Sequence, residues 1–377
     1  MNAIILAAIA VGVVYFVIAV ILILATLRSP IRSDAKPMIT VVIAARDEEE
    51  GLPGCLESLK GQDYPPELWS VIVVDDRSTD RTAEVVEGFQ RDWPALSLIR
   101  VDFCWPDMGG KQNALVAGFE VANGEIIAMT DADCILPVDW LAGIASAFTP
   151  DVGVVGGLVS VAKPQGVWGR LQRADMAYLM GIGWGFVAGG VPYTIMGNNL
   201  SVRKTAYDAV GGHRSLGLTI AEDCGLVTTI NRRTDWKSAW TPAGGIVGTF
   251  PPSTFPELIR QRVRWLHGIR FQTGWRLWFI FGGLIQRVSA VVVAGLWAFG
   301  VVGALPALAC LGLWFVTDMV VMVRMARVMR DWTLVAWSPF VTIWGAFYQS
   351  ISGIRYLLTG GKTAWKGQTH GTRRSIC

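Results

Sequence analysis

Apolar residues follow two rhythms along this chain. From Ala3 to Leu27 they run without a charge, and at about 1.5 Å per residue that stretch makes a helix of roughly 37 Å, long enough to cross a bilayer. A cleaved signal peptide would have a shorter apolar run preceded by basic residues, whereas Arg28 and Arg32 follow this one. Residues 1–27 are therefore expected to be a transmembrane helix, with its amino terminus outside and the following residues in the cytosol.

The rhythm then shortens. "MITVVIAA" (38–45), "SVIVVDD" (70–76) and "EIIAMTDAD" (125–133) are short β-branched runs that end in polar residues. Each is followed by a helical stretch, which predicts an α/β fold with a mostly parallel sheet. Ligands of such sheets sit beyond the carboxyl ends of the strands, where Asp75, Asp76, Asp131 and Asp133 fall. The block is expected to span 38–250, with an amphipathic interfacial segment at 251–275.

Two later stretches are apolar again. Residues 176–202 carry no charge but hold six glycines and Pro192. As a membrane crossing, this stretch would put Asp131 and Asp133 on the opposite side from Glu222 and Asp223, so it is expected to rest on the membrane or line an acceptor cleft. Residues 277–358 are expected to be a second membrane region: two spans across Leu277 to Val323, interrupted by Gln286, Arg287 and Asp318, and a third candidate from Trp332 to Leu358. Three crossings would leave the basic tail at 359–377 (Lys362, Lys366, Arg373, Arg374) outside, against the positive-inside rule, so one segment is expected to be re-entrant or interfacial.

Composition agrees with an integral membrane protein, since 52% of residues are hydrophobic. The net charge of +3 on 33 basic and 30 acidic groups gives no reason to expect nucleic acid as a partner. The cysteines are scattered with no C-x-x-C pair, and the three histidines form no H-E-x-x-H, so a metal would be held by oxygen.

Several loops carry candidate chemistry. Asp131 and Asp133 form a D-x-D after a strand, a set of hard oxygen ligands suited to Mg²⁺ or Mn²⁺ shared with a diphosphate, although an isolated D-x-D is also what a helix cap looks like. In "VVDDRSTDRTAE" (73–84), Ser78, Thr79 or Asp80 is expected to cap the next helix, which leaves Asp75 and Asp76 for a nucleoside or the metal. Gly109, Gly110 and Lys111 stand ahead of a helix and favour an anionic phosphate, without the spacing of a P-loop. Glu222 and Asp223 open an apolar helix, where they either offset its dipole or include a general base. Gln261, Arg264 and Trp265 share one helix face, fit either to hold a diphosphate and stack on a sugar or to anchor at lipid head groups.

Taken in order, these motifs resemble the membrane-bound, inverting family-2 glycosyltransferases, a group that includes ceramide glucosyltransferases, carotenoid glycosyltransferases and the processive polysaccharide synthases. The resemblance runs from about Met38 to Trp265 and includes the terminal "AWKGQTH" (364–370). It implies a GT-A-like domain that moves a sugar from a nucleotide donor, UDP-linked, to a lipid acceptor. By the same resemblance Ala45, Asp76, Lys111, Asp131, Gln261, Arg264 and Trp265 would bind the donor, and Asp131 with Asp133 would hold Mg²⁺ or Mn²⁺. Asp223, supported by Glu222, would be the base, and Asn198 and Asn199 in "MGNNLSVRKTAYDAVGG" (196–212) would line the acceptor cleft. Processive members usually carry more helices and a Thr where this chain has Ala221, which favours a single transfer over the alternative of a polysaccharide synthase. A rival of another class is a transporter, motivated by Arg287 and Asp318 within apolar runs. The expected location is the plasma or inner membrane, with the catalytic block cytosolic.

Overall fold

Eleven residues of β-branched and aliphatic character lie in the two runs at 39–45 and 69–76. In the computed structural model, which describes residues 2–28, 32–105, 108, 110–191, 195–365 and 368–370, those runs are parallel neighbours in one sheet. Chain contacts divide the protein into two compact units: 1–29, 163–191 and 272–354 form one, and 30–162, 192–271 and 355–377 the other.

The second unit is built on a seven-stranded sheet. Its strands are β1 (Ile39–Ala45), β2 (Trp69–Asp76), β3 (Leu96–Val101), β4 (Ile126–Asp131), β5 (Val152–Val161), β6 (Leu200–Arg203) and β7 (Lys237–Thr249), in the spatial order β3-β2-β1-β4-β6-β5-β7. The pairs β1–β2, β1–β4, β2–β3 and β5–β7 are parallel, and only β6 runs against its neighbours. The expected α/β class with a mostly parallel sheet is therefore correct.

Strands β2 and β4 flank β1, so the chain changes direction there and a crevice opens beyond their carboxyl ends. The register places Ala45 opposite Asp75 and Ala44 opposite Asp131, which sets three of the expected site positions along that edge. Val41, Val42, Ile43, Val71, Val73, Val74, Ile126 and Ile127 fill the sheet interior, nearly all of them inaccessible to solvent. A Cβ on Gly118 would come within 2.5 Å of Val42, so a glycine lets its helix lie directly on the sheet.

The first unit is helical. With α1 (Asn2–Ala25), the helices in chain order are α2 (Leu52–Lys60), α3 (Thr82–Gln90), α4 (Lys111–Val121), α5 (Trp140–Ala147), α6 (Gly166–Ala188), α7 (Lys204–Ala209), α8 (Glu222–Arg233), α9 (Phe255–Leu266), α10 (Trp275–Ala298), α11 (Ala304–Met329) and α12 (Thr333–Thr359). Of these, α1, α6, α10, α11 and most of α12 make up the helical unit. A hairpin of β8 (Thr363–Trp365) and β9 (Gln368–His370) follows α12.

Among the described residues three helices are long and apolar enough to cross a membrane: Ile5–Ala25, Arg276–Ala298 and Ala304–Met329. The expected third carboxyl-terminal span forms a helix, α12, but is not one of the three. Ser338, Thr342, Tyr348, Gln349 and Ser352 dilute its apolar run, and Pro339 interrupts it. Residues 176–188 also differ from expectation, because they are the buried end of α6 rather than an apolar outer surface. Added Cβ atoms on Gly181 and Gly185 would lie 2.8 Å from Val321 and 2.7 Å from Leu22, so the glycines serve close helix packing. Inside this unit Arg287 pairs with Asp318 at 3.6 Å, and Thr342 donates to the same carboxylate at 2.8 Å. Arg324 donates to both the hydroxyl and the carbonyl of Thr26, at 2.8 Å each, and so satisfies the end of α1.

Candidate active site

The loops at the sheet's carboxyl edge are pinned to one another before any ligand is considered. Asp47 Oδ1 accepts from the Thr79 amide at 2.8 Å, Glu49 N–H donates to Asp80 at 3.0 Å, and the Arg81 amide donates back to Glu49 at 3.1 Å. Asp80 also accepts from the Thr82 amide at 2.9 Å just ahead of α3, but the cap position is Arg81, without a side-chain cap, rather than one of the three expected candidates. Asp47 and Arg77 hold positive φ angles of 51° and 58°, a strained conformation for residues other than glycine that the cross-links sustain. The D-x-D takes no comparable capping role: α5 begins at Trp140, and its cap position is Asp139.

Asp76 ends β2 and is almost fully buried. Its Oδ1 accepts from Arg77 Nε at 2.9 Å and its Oδ2 lies 3.8 Å from Arg46. Burial raises its pKa, while Arg77 and then Arg46 work against that rise. Both arginines escaped the sequence reading. Their one legible signal is that each directly follows a strand whose last residues were already suspected.

Asp131 ends β4, and Lys111 opens α4 after Gly110, whose φ of 56° turns the chain into the helix. The Lys111 ammonium bonds Asp131 directly. Burial works to lower the Lys111 pKa, but Asp131, Glu222 and Asp223 outweigh it and hold the group above its ordinary value. Gly109 lies outside the described residues. Asp133 stands beyond the end of β4, against Gly51: a Cβ on that glycine would lie 3.2 Å from it. Burial first, then the charges of Asp131 and Glu48, push the Asp133 carboxyl up to about 7.

Glu222 and Asp223 form the first turn of α8. Asp223 Oδ2 accepts from the Gly197 amide at 2.9 Å, and Oδ1 from the Cys224 amide at 2.6 Å. Gly197 sits between an acid and a cation, since a Cβ there would be 3.4 Å from Asp223 Oδ2 and 3.6 Å from Lys111 Nζ. Burial raises the pKa of both acids, opposed for Asp223 by the Cys224 amide and Lys111 and for Glu222 chiefly by Lys111.

Helix α9 carries Gln261, Arg264 and Trp265 at the expected spacing and starts with a Thr254–Glu257 capping box. Burial lowers the Arg264 pKa, and four carboxylates oppose it: Glu222, Asp131, Asp223 and Asp133. The guanidinium thus belongs to the same electrostatic cluster as the D-x-D and the Glu-Asp pair. Arg262 lies over the Trp265 ring, 4.0 Å from its centroid.

The two asparagines separate. Asn199 accepts from the Trp140 indole at 2.9 Å and donates to the Leu158 carbonyl at 2.9 Å, so its amide is engaged in joining α5 to β5. Asn198 accepts from Thr130 through its backbone carbonyl, and its side-chain oxygen is buried without a hydrogen-bond partner among the described residues.

A divalent ion fits the donor set found here. Asp131 and Asp133 are hard ligands, and burial, then the neighbouring carboxylates of Asp131 and Glu48, disfavours the charged form of Asp133, which a cation would stabilise. Among the described residues no three Asp, Glu, His or Cys side chains gather into a closed cage. Beside Asp133 an open cleft of about 540 Å³, with Glu48, Glu49, Asp80 and Phe250 among its walls, is within the usual size of a small-molecule site.

Comparison with known proteins agrees with this architecture. A beta-monoglucosyldiacylglycerol synthase of Synechocystis is 30% identical over 253 residues, 64% of this chain and 50% of the relative. The glycosyltransferase AglE of Haloferax volcanii is 29% identical over 232 residues, 60% of this chain and 71% of the relative. The chain thus spans about half the length of the synthase it matches. In solved structures the same GT-A-like fold occurs in a mannosyltransferase of Pyrobaculum calidifontis in complex with GDP-Man and Mn²⁺, with a TM-score of 0.61, 20% identity, and coverage of 91% of this chain and 99% of the other. Residues 4–368 match the family described as Glycosyl transferase family 21, and the chain belongs to that family.

Proposed function

We propose that this protein is a membrane glycosyltransferase that moves one sugar from a nucleotide-sugar, UDP-linked, to a lipid acceptor with inversion at the anomeric carbon. The observation that carries this reading is the gathering of Lys111, Asp131, Asp223 and Arg264, drawn from four separate segments, into one electrostatic cluster at the sheet's carboxyl edge. The names of the Synechocystis and Haloferax relatives support sugar transfer, and the former supports a glycolipid product.

In this reading Asp76 and Ala45 border the nucleoside, and Lys111 and Arg264 bear on the diphosphate. Asp131 and Asp133 would hold Mg²⁺ or Mn²⁺, which when bound neutralises charge developing on the diphosphate. Asp223 accepts the acceptor's hydroxyl proton, and its pKa, raised by burial, suits that task. The acceptor oxygen attacks the anomeric carbon from the face opposite the diphosphate. The carbon–oxygen bond to the diphosphate breaks with its electron pair, and Arg264 stabilises the departing anion. Asn198 is the asparagine left to meet an acceptor.

The three apolar helices support insertion in a membrane, as do the exposed Leu6, Val14, Ile21, Val291 and Leu305 on them. With the amino terminus outside, three crossings return the tail to the same side as residues 30–162 and 192–271. That arrangement removes the conflict with the positive-inside rule. Lys366, Arg373 and Arg374 lie outside the described residues.

The test is to incubate the detergent-solubilised protein with labelled UDP-sugars, Mn²⁺ and a lipid extract, then analyse the product. A lipid carrying a single sugar of inverted configuration is expected. A long polymer would favour a processive synthase, and hydrolysis alone would reject transfer.

A further inference from the structure

Residues His267–Phe271 form a short 3-10 turn directly after α9. On one side this turn abuts the helix that carries Asp223. Cys224 Sγ donates to the Gly268 carbonyl at 3.5 Å, and a Cβ on Gly268 would stand 3.4 Å from that sulfur. A Cβ on Gly225 would come within 2.9 Å of Phe271. Arg270 donates to the Leu218 carbonyl, just ahead of α8, at 2.9 Å.

On its other side the turn holds the end of α12. His267 is 4% exposed, and its Nε2 lies 2.7 Å from the Gly361 carbonyl oxygen. A carbonyl can only accept, so Nε2 carries the proton. Tyr356 meets the imidazole edge-on, with centroids 5.2 Å apart. Gly361 donates to the Tyr356 carbonyl at 2.8 Å with a φ of 77°, and a Cβ there would be 3.0 Å from His267 Cε1. The fit leaves little room for any residue but glycine.

We infer that His267 is a positioning residue: by latching the Gly360–Gly361 turn to the segment that abuts α8, it holds Asp223 and Arg264 in register for sugar transfer. The inference rests on the function proposed above. Its physical basis is that His267 lies one helical turn after Arg264, while its neighbour Gly268 touches Cys224, the residue next to Asp223. Loss of the latch frees this segment to rock, and displacement of reacting groups by about 1 Å can cost two orders of magnitude in rate.

His267→Leu keeps bulk and removes the donor, whereas His267→Gln restores an N–H. In the full-length protein, His267→Leu is expected to lower kcat about tenfold at an unchanged donor KM, the cost of one lost buried hydrogen bond. Labelling of the buried Cys224 thiol, followed by peptide mass spectrometry, is expected to quicken by about tenfold in the same variant, and His267→Gln to recover most of both losses. Wild-type kcat and labelling in His267→Leu would overturn the inference. So would equal impairment of the Gln variant, which would assign the residue to packing alone. If the wild-type protein transfers no sugar from any nucleotide donor, the functional reading fails, and the labelling arm alone then decides whether the latch exists.

Discussion

Lys111, at the start of α4, bonds the carboxylate of Asp131, at the end of β4, and so places a cation at the centre of the acidic cluster. The same ammonium lowers the pKa values of Asp133, Glu222 and Asp223, each of which burial raises. Lys111→Met removes that opposing charge. The acid limb of the pH–rate profile is then expected to move to higher pH, because the base must lose its proton to act, and donor affinity is expected to fall about tenfold. A profile that does not move would mean that Lys111 has no bearing on the base.

Metal dependence is expected from the donor set proposed above. Chelation with EDTA is expected to abolish transfer and added Mn²⁺ to restore it, whereas Asp133→Asn is expected to weaken Mn²⁺ activation by at least about tenfold. Full activity in EDTA would rule out a metal-held diphosphate.

A pH dependence of stability is expected from a residue to which the proposed reaction assigns no role. His213 is fully buried between Tyr207 and Phe119, and burial, then Lys111, lowers its pKa to about 3. The unfolded chain binds a proton near pH 6.5 that the folded one refuses, so this contribution is complete above about 6.5 and is lost as pH falls towards about 3. Urea midpoints of His213→Gln should fall less steeply than wild type across that window. Parallel slopes would show that the imidazole is not held neutral.

The Arg287–Asp318 pair predicts a stability effect in the helical unit, with side chains only 6% and 1% exposed. Arg287→Met leaves a buried carboxylate without its cation and is expected to cost about 3–5 kcal/mol, and adding Asp318→Asn should recover most of it. Thermal unfolding of single and double variants checks this. An additive double variant would mean that the two groups do not depend on each other.

Much of this arrangement was legible in the sequence because strands β1, β2 and β4 are short runs rich in β-branched residues that deliver their last residues to one edge. Strands β5 and β7 carry paired glycines, Gly156–Gly157 and Gly244–Gly245, and give no such signal. The glycines of α6 misled in a different way: they look like interruptions of an apolar surface, yet Gly181 and Gly185 are where neighbouring helices press closest. Arg46 becomes a partner of Asp76 only once β1 and β2 lie side by side, a relation that no local spacing encodes, whereas Arg77 is the next residue in the chain. Asn199 showed the converse, since its polar side chain is occupied by Trp140 and Leu158.

The most direct test compares wild-type protein with Asp223→Asn for labelled UDP-sugar transfer to lipid and, separately, for nucleotide binding in the presence of Mn²⁺. The account predicts turnover lowered by about a hundredfold or more, the usual contribution of a general base, with nucleotide affinity within a few-fold of wild type. Undiminished transfer by the Asn variant would contradict it.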